Sequence, residues 1–141
     1  MTEFYDEVVI DTVVWVGAKS ERDNYYEKSN NIINAFLNKK IKKVIITDYV
    51  LIETINFLLR KSGFEFTYDV LNSITESGKI EIRYSDEIFL TKIKEIFEKY
   101  KNLSLTDCSI VALMEERKIK YLFSFDSGFD KVKGIIRKET T

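Results

Sequence analysis

The sequence predicts an α/β fold: a central, mainly parallel sheet with helices on both faces. Three observations carry this. Short apolar segments alternate with longer helical ones along the chain. Two of those segments, ending at Ile10 and Phe125, run straight into an aspartate. No Pro-, Gly- or Ser-rich linker, repeat or low-complexity tract interrupts the 141 residues, so positions 1–141 read as one domain. Right-handed crossovers then distribute the helices over the two faces of the sheet.

The elements follow in order. Residues 7–10 (EVVI) are an apolar strand and 12–18 a short helix. Residues 22–38 are a second helix, with Tyr25, Tyr26, Ile32, Ile33, Ala35, Phe36 and Leu37 on its apolar side. Residues 43–47 (KVIIT) are a strand. Residues 48–61 are a helix that is apolar nearly all round, which predicts deep packing. Ser62-Gly63 ends it. A helix over 64–76 stops at Ser77-Gly78, and 79–83 (KIEIR) alternates as a strand does. Ser85 is a suitable N-cap for a helix over 86–101, whose stripe is Phe89, Ile93, Ile96, Phe97 and Tyr100. Another helix runs from Leu105 or Thr106 to about Lys118. Residues 121–125 (YLFSF) are a strand, Gly128 marks a turn followed by a short helical turn, and 134–137 are a last strand.

Composition removes whole classes of chemistry. The chain has no histidine and one cysteine. A Ser-His-Asp or Cys-His relay is therefore excluded, as are histidine-based metal sites, an all-cysteine zinc site and an internal disulfide. Acid–base or metal chemistry falls to Asp, Glu, Lys, Tyr or Ser. The first ten residues are acidic and lack a basic, apolar leader, so no secretory signal is expected. Apolar runs are far shorter than the ~18–20 residues that span a bilayer. A cytoplasmic protein is expected, and one unpaired cysteine suits a reducing compartment.

Four acids draw attention. Asp11 and Asp126 terminate apolar strands, at the carboxyl edge where open parallel sheets bind ligands. Taken singly, each is explained as a cap on the helix that follows. Glu53 lies mid-helix, one turn from Tyr49, Val50 and Phe57. Burying it unpaired there would cost several kcal/mol or force its protonation. The mild alternative is a buried ion pair. Asp107 opens its helix on the side of Ile110, Val111 and Met114, facing inward; stabilisation of the first-turn dipole explains it without any function. Together the four could meet at one sheet edge. Carboxylates ~4 Å apart repel by ~4 kcal/mol at an effective dielectric of ~20, so such a cluster needs a cation or extra protons. Oxygen ligands without His or Cys select Mg²⁺ or Mn²⁺.

In order, an apolar strand ending in Asp11-Thr12, then Val50-Leu51-Ile52-Glu53, then Leu105-Thr106-Asp107, then Phe123-Ser124-Phe125-Asp126-Ser127-Gly128-Phe129-Asp130, the chain resembles the PIN domain across essentially its whole length. Small VapC-type toxin ribonucleases are that family's best-known stand-alone members. The resemblance implies a three-layer α/β/α sandwich and a Mg²⁺- or Mn²⁺-dependent endoribonuclease site. Asp11, Glu53, Asp107 and Asp126 match the family's acidic positions, as catalytic and metal-holding residues. Asp130 matches an acid found in some members, and is equally well a surface turn acid. Ser124 matches a small hydroxyl residue near the last motif, and with Thr12 it would orient the acids from behind. Ser124 could instead merely fill space. Val13 departs from the Ser or Thr that members often carry there.

The resemblance further implies an RNA substrate, a cognate antitoxin binding near the site, and a homodimer. Tyr25–Leu37 and Ile52–Phe66 are the candidate dimer surfaces, although core packing accounts for most of their apolar residues. Of the basic stretch at 131–138, Lys131 and Lys133 would hold the RNA backbone. Setting the four acids aside leaves basic residues in excess, so a net charge of −1 is no obstacle to RNA. The competing readings are a non-toxin RNA-processing nuclease and a non-catalytic RNA- or protein-binding module. A DNA nuclease or phosphatase would use the same metals.

Overall fold

A computed structural model describes residues 3–18, 22 and 24–141. Five strands, β1 (Tyr5–Ile10), β2 (Ile41–Thr47), β3 (Ile80–Arg83), β4 (Tyr121–Phe123) and β5 (Ile136–Lys138), form one sheet in the order β3-β2-β1-β4-β5. Every pairing in it is parallel. The helices are α1 (Thr12–Gly17), α2 (Tyr26–Leu37), α3 (Asp48–Ser62), α4 (Phe64–Glu76), α5 (Glu87–Lys99) and α6 (Leu105–Arg117), with a 3-10 turn at Ser127–Lys131. The central strands are apolar because both of their faces are covered: Val8 to Ile10, Val44 to Ile46, Leu122 and Phe123 have no exposed surface. No helix among the described residues is long and apolar enough to cross a membrane.

The strand order locates the ligand edge. The chain steps outward from β1 to β2 to β3, then returns to the other side of β1 as β4. Right-handed crossovers therefore place α1–α4 on one face and α5 and α6 on the other. Contacts within each group agree, α1 packing on α2 and α3, α3 on α4, and α5 on α6. The reversal falls between β1 and β4, and ligands bind outside the carboxyl ends of strands at such a point. Ile10 pairs with Phe123 there, and the Asp11 N–H donates to the Phe123 carbonyl at 3.0 Å.

Several boundaries move for physical reasons. The helix expected from residue 22 begins only at Tyr26; Arg22, Asn24 and Tyr25 lie in turns, and residue 23 is outside the described residues. The Tyr25 ring instead stacks on Phe125, with centroids 4.3 Å apart. Asp86 caps α5 rather than Ser85, its carboxylate accepting from the Phe89 N–H at 2.8 Å. Ser85 is occupied elsewhere, donating through its N–H and hydroxyl to Asp48. The last strand starts at Ile136, not 134, because Gly134 is in a left-handed turn (φ 87°).

The deeply packed helix is α6, not α3. Cys108 through Met114 form a continuous buried run on α6. Only Val50, Leu51, Thr54 and Leu58 are buried on α3, while Ile52 and Leu59 face solvent. Hydrophobicity all round a helix does not by itself say how many neighbours the fold supplies.

Candidate active site

Asp11 is the best-enclosed acid, at 6% exposure. Its position just past β1 caps α1, with the Thr12 N–H donating to Oδ1 at 2.8 Å. The Ser124 hydroxyl donates to Oδ2, also at 2.8 Å. Ser124 lies just beyond β4 with no exposed surface, and its Oγ in turn accepts from the Asp126 N–H at 3.0 Å. One serine hydroxyl thus ties Asp11, just past β1, to Asp126, three residues past the end of β4.

Asp107 and Asp126 are also held by local helix-end chemistry. Asp107 completes a capping box on α6: the Ser104 hydroxyl accepts from the Asp107 N–H, and the Asp107 carboxylate accepts from the Ser104 N–H. Asp126 caps the 3-10 turn, Oδ1 accepting from the Gly128 N–H at 2.8 Å. A Cβ at position 128 would stand 3.0 Å from that oxygen and 3.5 Å from Leu103 Cδ2, so the close turn calls for glycine. Capping and clustering are not alternatives here. Three chain segments begin at one edge, and each contributes the acid that caps it.

Glu53 differs from its expected setting. It is exposed on α3 rather than embedded among apolar groups, and the Thr12 hydroxyl reaches its Oε2 at 3.4 Å. The helix turns Val50, Leu51 and Thr54 inward, which leaves Glu53 on the open side. There it still lies within electrostatic range of both Asp11 and Asp107.

These neighbours repel one another. The Asp11 carboxyl is pushed up to about 6, first by burial and then by the negative charges of Asp107 and Glu53, while the Ser124 and Thr12 hydrogen bonds pull it down. Asp107 is raised as well, first by its burial and further by Asp126 and Glu53. No basic side chain among the described residues pairs with any of the four. The donors do not form a closed cage: among the described residues no three of His, Cys, Asp or Glu stand together as ready ligands. An open set of carboxylate oxygens suits Mg²⁺ or Mn²⁺, since Mg²⁺ keeps several waters and takes only one or two protein carboxylates directly.

Asp130 is engaged elsewhere. Its carboxylate is gripped by Arg137 at 2.8 and 3.2 Å, which holds it below the usual carboxylate range. Lys131 and Lys133 are exposed just beyond it. Beside Glu53 opens a cleft of about 540 Å³, walled by Thr12, Val13 and Tyr25 on one side and by Phe57, Arg60 and Lys61 on the other. The acidic motifs do not point to those last three residues. Their signal is helical spacing, because positions 53, 57, 60 and 61 share one face of α3.

The PIN domain model matches residues 8–135. The chain belongs to the PIN domain family. Within it, the chain is similar to a VapC ribonuclease of Archaeoglobus fulgidus, 31% identical over 124 residues that cover 86% of this chain and 78% of that protein. The PIN fold is equally plain in solved structures. VapC20 of Mycobacterium tuberculosis, described as a sarcin-ricin loop cleaving toxin, superposes with a TM-score of 0.76 at 18% identity, covering 91% of this chain and 96% of that one. The toxin–antitoxin complex from Klebsiella pneumoniae matches with a TM-score of 0.68 at 15% identity over 92% and 95% of the two chains.

Proposed function

We propose that this PIN domain, a single domain over 1–141, is a divalent-metal-dependent endoribonuclease and the toxin of a toxin–antitoxin pair. The observation that carries the reading is the convergence of Asp11, Glu53, Asp107 and Asp126 on one another at the β1/β4 reversal, with none of the four in an ion pair with a basic side chain among the described residues. The 31% identity to a protein named as a VapC ribonuclease supports RNA as substrate.

The four acids would hold Mg²⁺ or Mn²⁺. When bound, the cation supplies Lewis-acid stabilisation of charge on the phosphoryl oxygens and a lowered pKa for water. The chain's own groups prepare for this. Thr12 and Ser124 engage one oxygen each of Asp11, so its carboxylate is oriented before any ligand arrives. Asp107 and Asp126 are fixed by the helix ends they cap, which leaves their remaining lone pairs to face the cluster. Asp130, committed to Arg137, stands outside the metal set. Lys131 and Lys133 lie where they can hold the RNA backbone past the last acidic motif.

An antitoxin fits the same electrostatics, because a basic side chain delivered to the cluster relieves its repulsion. Ile52, Leu59, Phe64 and Phe66 are exposed on α3 and the start of α4, an apolar surface suited to a second copy of the chain. The protein would act in the cytoplasm.

The test is RNA cleavage by the purified chain with Mg²⁺ or Mn²⁺, with EDTA, and after Asp11→Asn or Asp107→Asn. Activity that needs the metal and disappears in both variants supports the reading. Cleavage by both variants at the parent rate would sink the site assignment. Growth arrest on expression, relieved by a small neighbouring open reading frame, supports the toxin role, and normal growth with soluble expression counts against it.

A further inference from the structure

We propose that the cleft between α1 and α3 binds an unpaired nucleotide next to the scissile phosphate. Its base would lie against the aromatic wall, and its backbone phosphate would be held by Arg60 and Lys61. This deepens the ribonuclease reading and rests on it.

The cleft is continuous with the acidic cluster. Thr12 and Glu53 line it, and Thr12 also donates to Asp11. Its volume of about 540 Å³ is within the range of small-ligand sites. Two aromatic side chains, Tyr25 and Phe57, contribute to its walls, and Tyr25 is held in place by its stack on Phe125. The Arg60 guanidinium and the Lys61 ammonium lie over the Phe57 ring, 5.9 and 5.3 Å from its centroid. Neither forms an ion pair with a described carboxylate, whereas Arg83, Arg117 and Arg137 all do.

Charge decides between ligands. The acid cluster repels RNA phosphates, so a strand that delivers one phosphate to it needs cations close by on the approach. Arg60 and Lys61 lie two helical turns from Glu53 along the same face of α3, which places positive charge roughly 11 Å along the helix from that acid. The aromatic groups decide strandedness. Bases within a duplex are stacked and paired, and only an unpaired base can enter a cleft and pack on a side-chain ring.

The experiment is fluorescence anisotropy in EDTA with a labelled single-stranded RNA of ~12 nucleotides, within the span of single-strand sites. The protein is the full chain carrying Asp11→Asn and Asp107→Asn, which separates binding from cleavage. Arg60→Ala with Lys61→Ala should weaken binding about tenfold and flatten the log–log salt dependence by ~0.7, the share of the one phosphate no longer neutralised. Phe57→Leu keeps an apolar side chain for packing and should weaken binding ~5-fold by removing the stacking ring. Lys39→Ala with Lys42→Ala removes the same charge near the amino end of β2, away from the cluster, and should change binding less than twofold. The same RNA annealed to its complement should bind worse than the single strand.

Equal weakening by the two double substitutions overturns the proposal. So does a preference for duplex, or an absence of RNA binding by the parent protein. Cleavage assays separate the two readings. If the chain with both aspartates intact cleaves RNA and Arg60→Ala/Lys61→Ala leaves KM unchanged, the cleft assignment fails and the nuclease stands. If no RNA is cleaved under any metal while binding still depends on Arg60 and Lys61, the nuclease fails and the cleft stands.

Discussion

The Ser124 hydroxyl donates to Asp11 Oδ2 at 2.8 Å across 113 positions of sequence, and both groups are buried. This bond crosses the β1/β4 seam and holds the best-enclosed carboxylate of the cluster. It also lowers the proton affinity that burial and Asp107 raise. Ser124→Ala should therefore leave Asp11 harder to ionise. The expected result is a fall of about tenfold in kcat at neutral pH, with the acid limb of the pH–rate profile moved upward. Ser124→Thr, which keeps the hydroxyl, should restore most of the rate. Pre-steady-state cleavage over pH 5–9 checks both. An unchanged acid limb in the alanine variant would show that Ser124 does not act through Asp11.

Asp11 predicts an unusual stability profile for the metal-free protein. Its folded-state pKa is about 6, against an ordinary 3.8, so between these values the native state binds a proton that the unfolded chain has lost. Stability therefore falls as pH rises from about 4 to about 6 and then levels. Asp107, raised in the same direction, adds to the trend. The loss is at most ~3 kcal/mol for Asp11. Urea melts in EDTA across that window should show the slope, and Asp11→Asn should flatten it. Because a cation needs the ionised form, Mn²⁺ affinity measured by calorimetry should weaken below pH 6.

Asp107→Asn separates fold from chemistry. An asparagine side-chain oxygen still accepts from the Ser104 N–H, so the capping box survives in part. Removing the negative charge lowers the proton affinity of Asp11, where Asp107 is the foremost charge that raises it. Metal-free stability at pH 7 should stay within about 1 kcal/mol of the parent or rise, while RNA cleavage falls at least ~100-fold. Loss of folding in circular dichroism would contradict this account, as would retained cleavage.

Much of this arrangement can be read from the residues, and the exceptions share a cause. The strand and helix order, the parallel sheet and Asp11 at the end of β1 follow from local apolar pattern, which β1 and β4 satisfy by being covered on both faces; the strand expected over 121–125 stops at Phe123, so Asp126 stands three residues beyond it. The local pattern around Glu53 suggests burial, because Tyr49, Val50 and Phe57 are its near neighbours along α3. Burial depends on which face meets another element, and α3 leaves the Glu53 face open. Asp130 sits in a motif with Asp126, yet it pairs with Arg137 because β5 folds back alongside β4. Arg60 and Lys61 have the local pattern of ordinary basic residues at a helix C-terminus, and only the packing of α1 on α3 gives them a cleft. Pairings made by tertiary contact have no local signature.

Arg137 fastens that return strand to the site. Its side chain is 15% exposed and meets Asp130, Glu139 and the Ser124 carbonyl, the last at 3.1 Å. The Ser124 N–H donates to the Lys138 carbonyl, so the serine that orients Asp11 is held from both backbone ends. Arg137→Met keeps the aliphatic stem and removes the donors. It should cost about 1–3 kcal/mol of stability, since a partly buried carbonyl and two carboxylates lose a charged partner. Asp130→Asn should cost less than Arg137→Met, because that carboxylate is solvent-exposed and Arg137 retains its other two partners. Urea unfolding of both variants tests the order. If Asp130→Asn proves the more damaging, the anchor is the exposed ion pair itself, and the Ser124 carbonyl contributes little to holding the site.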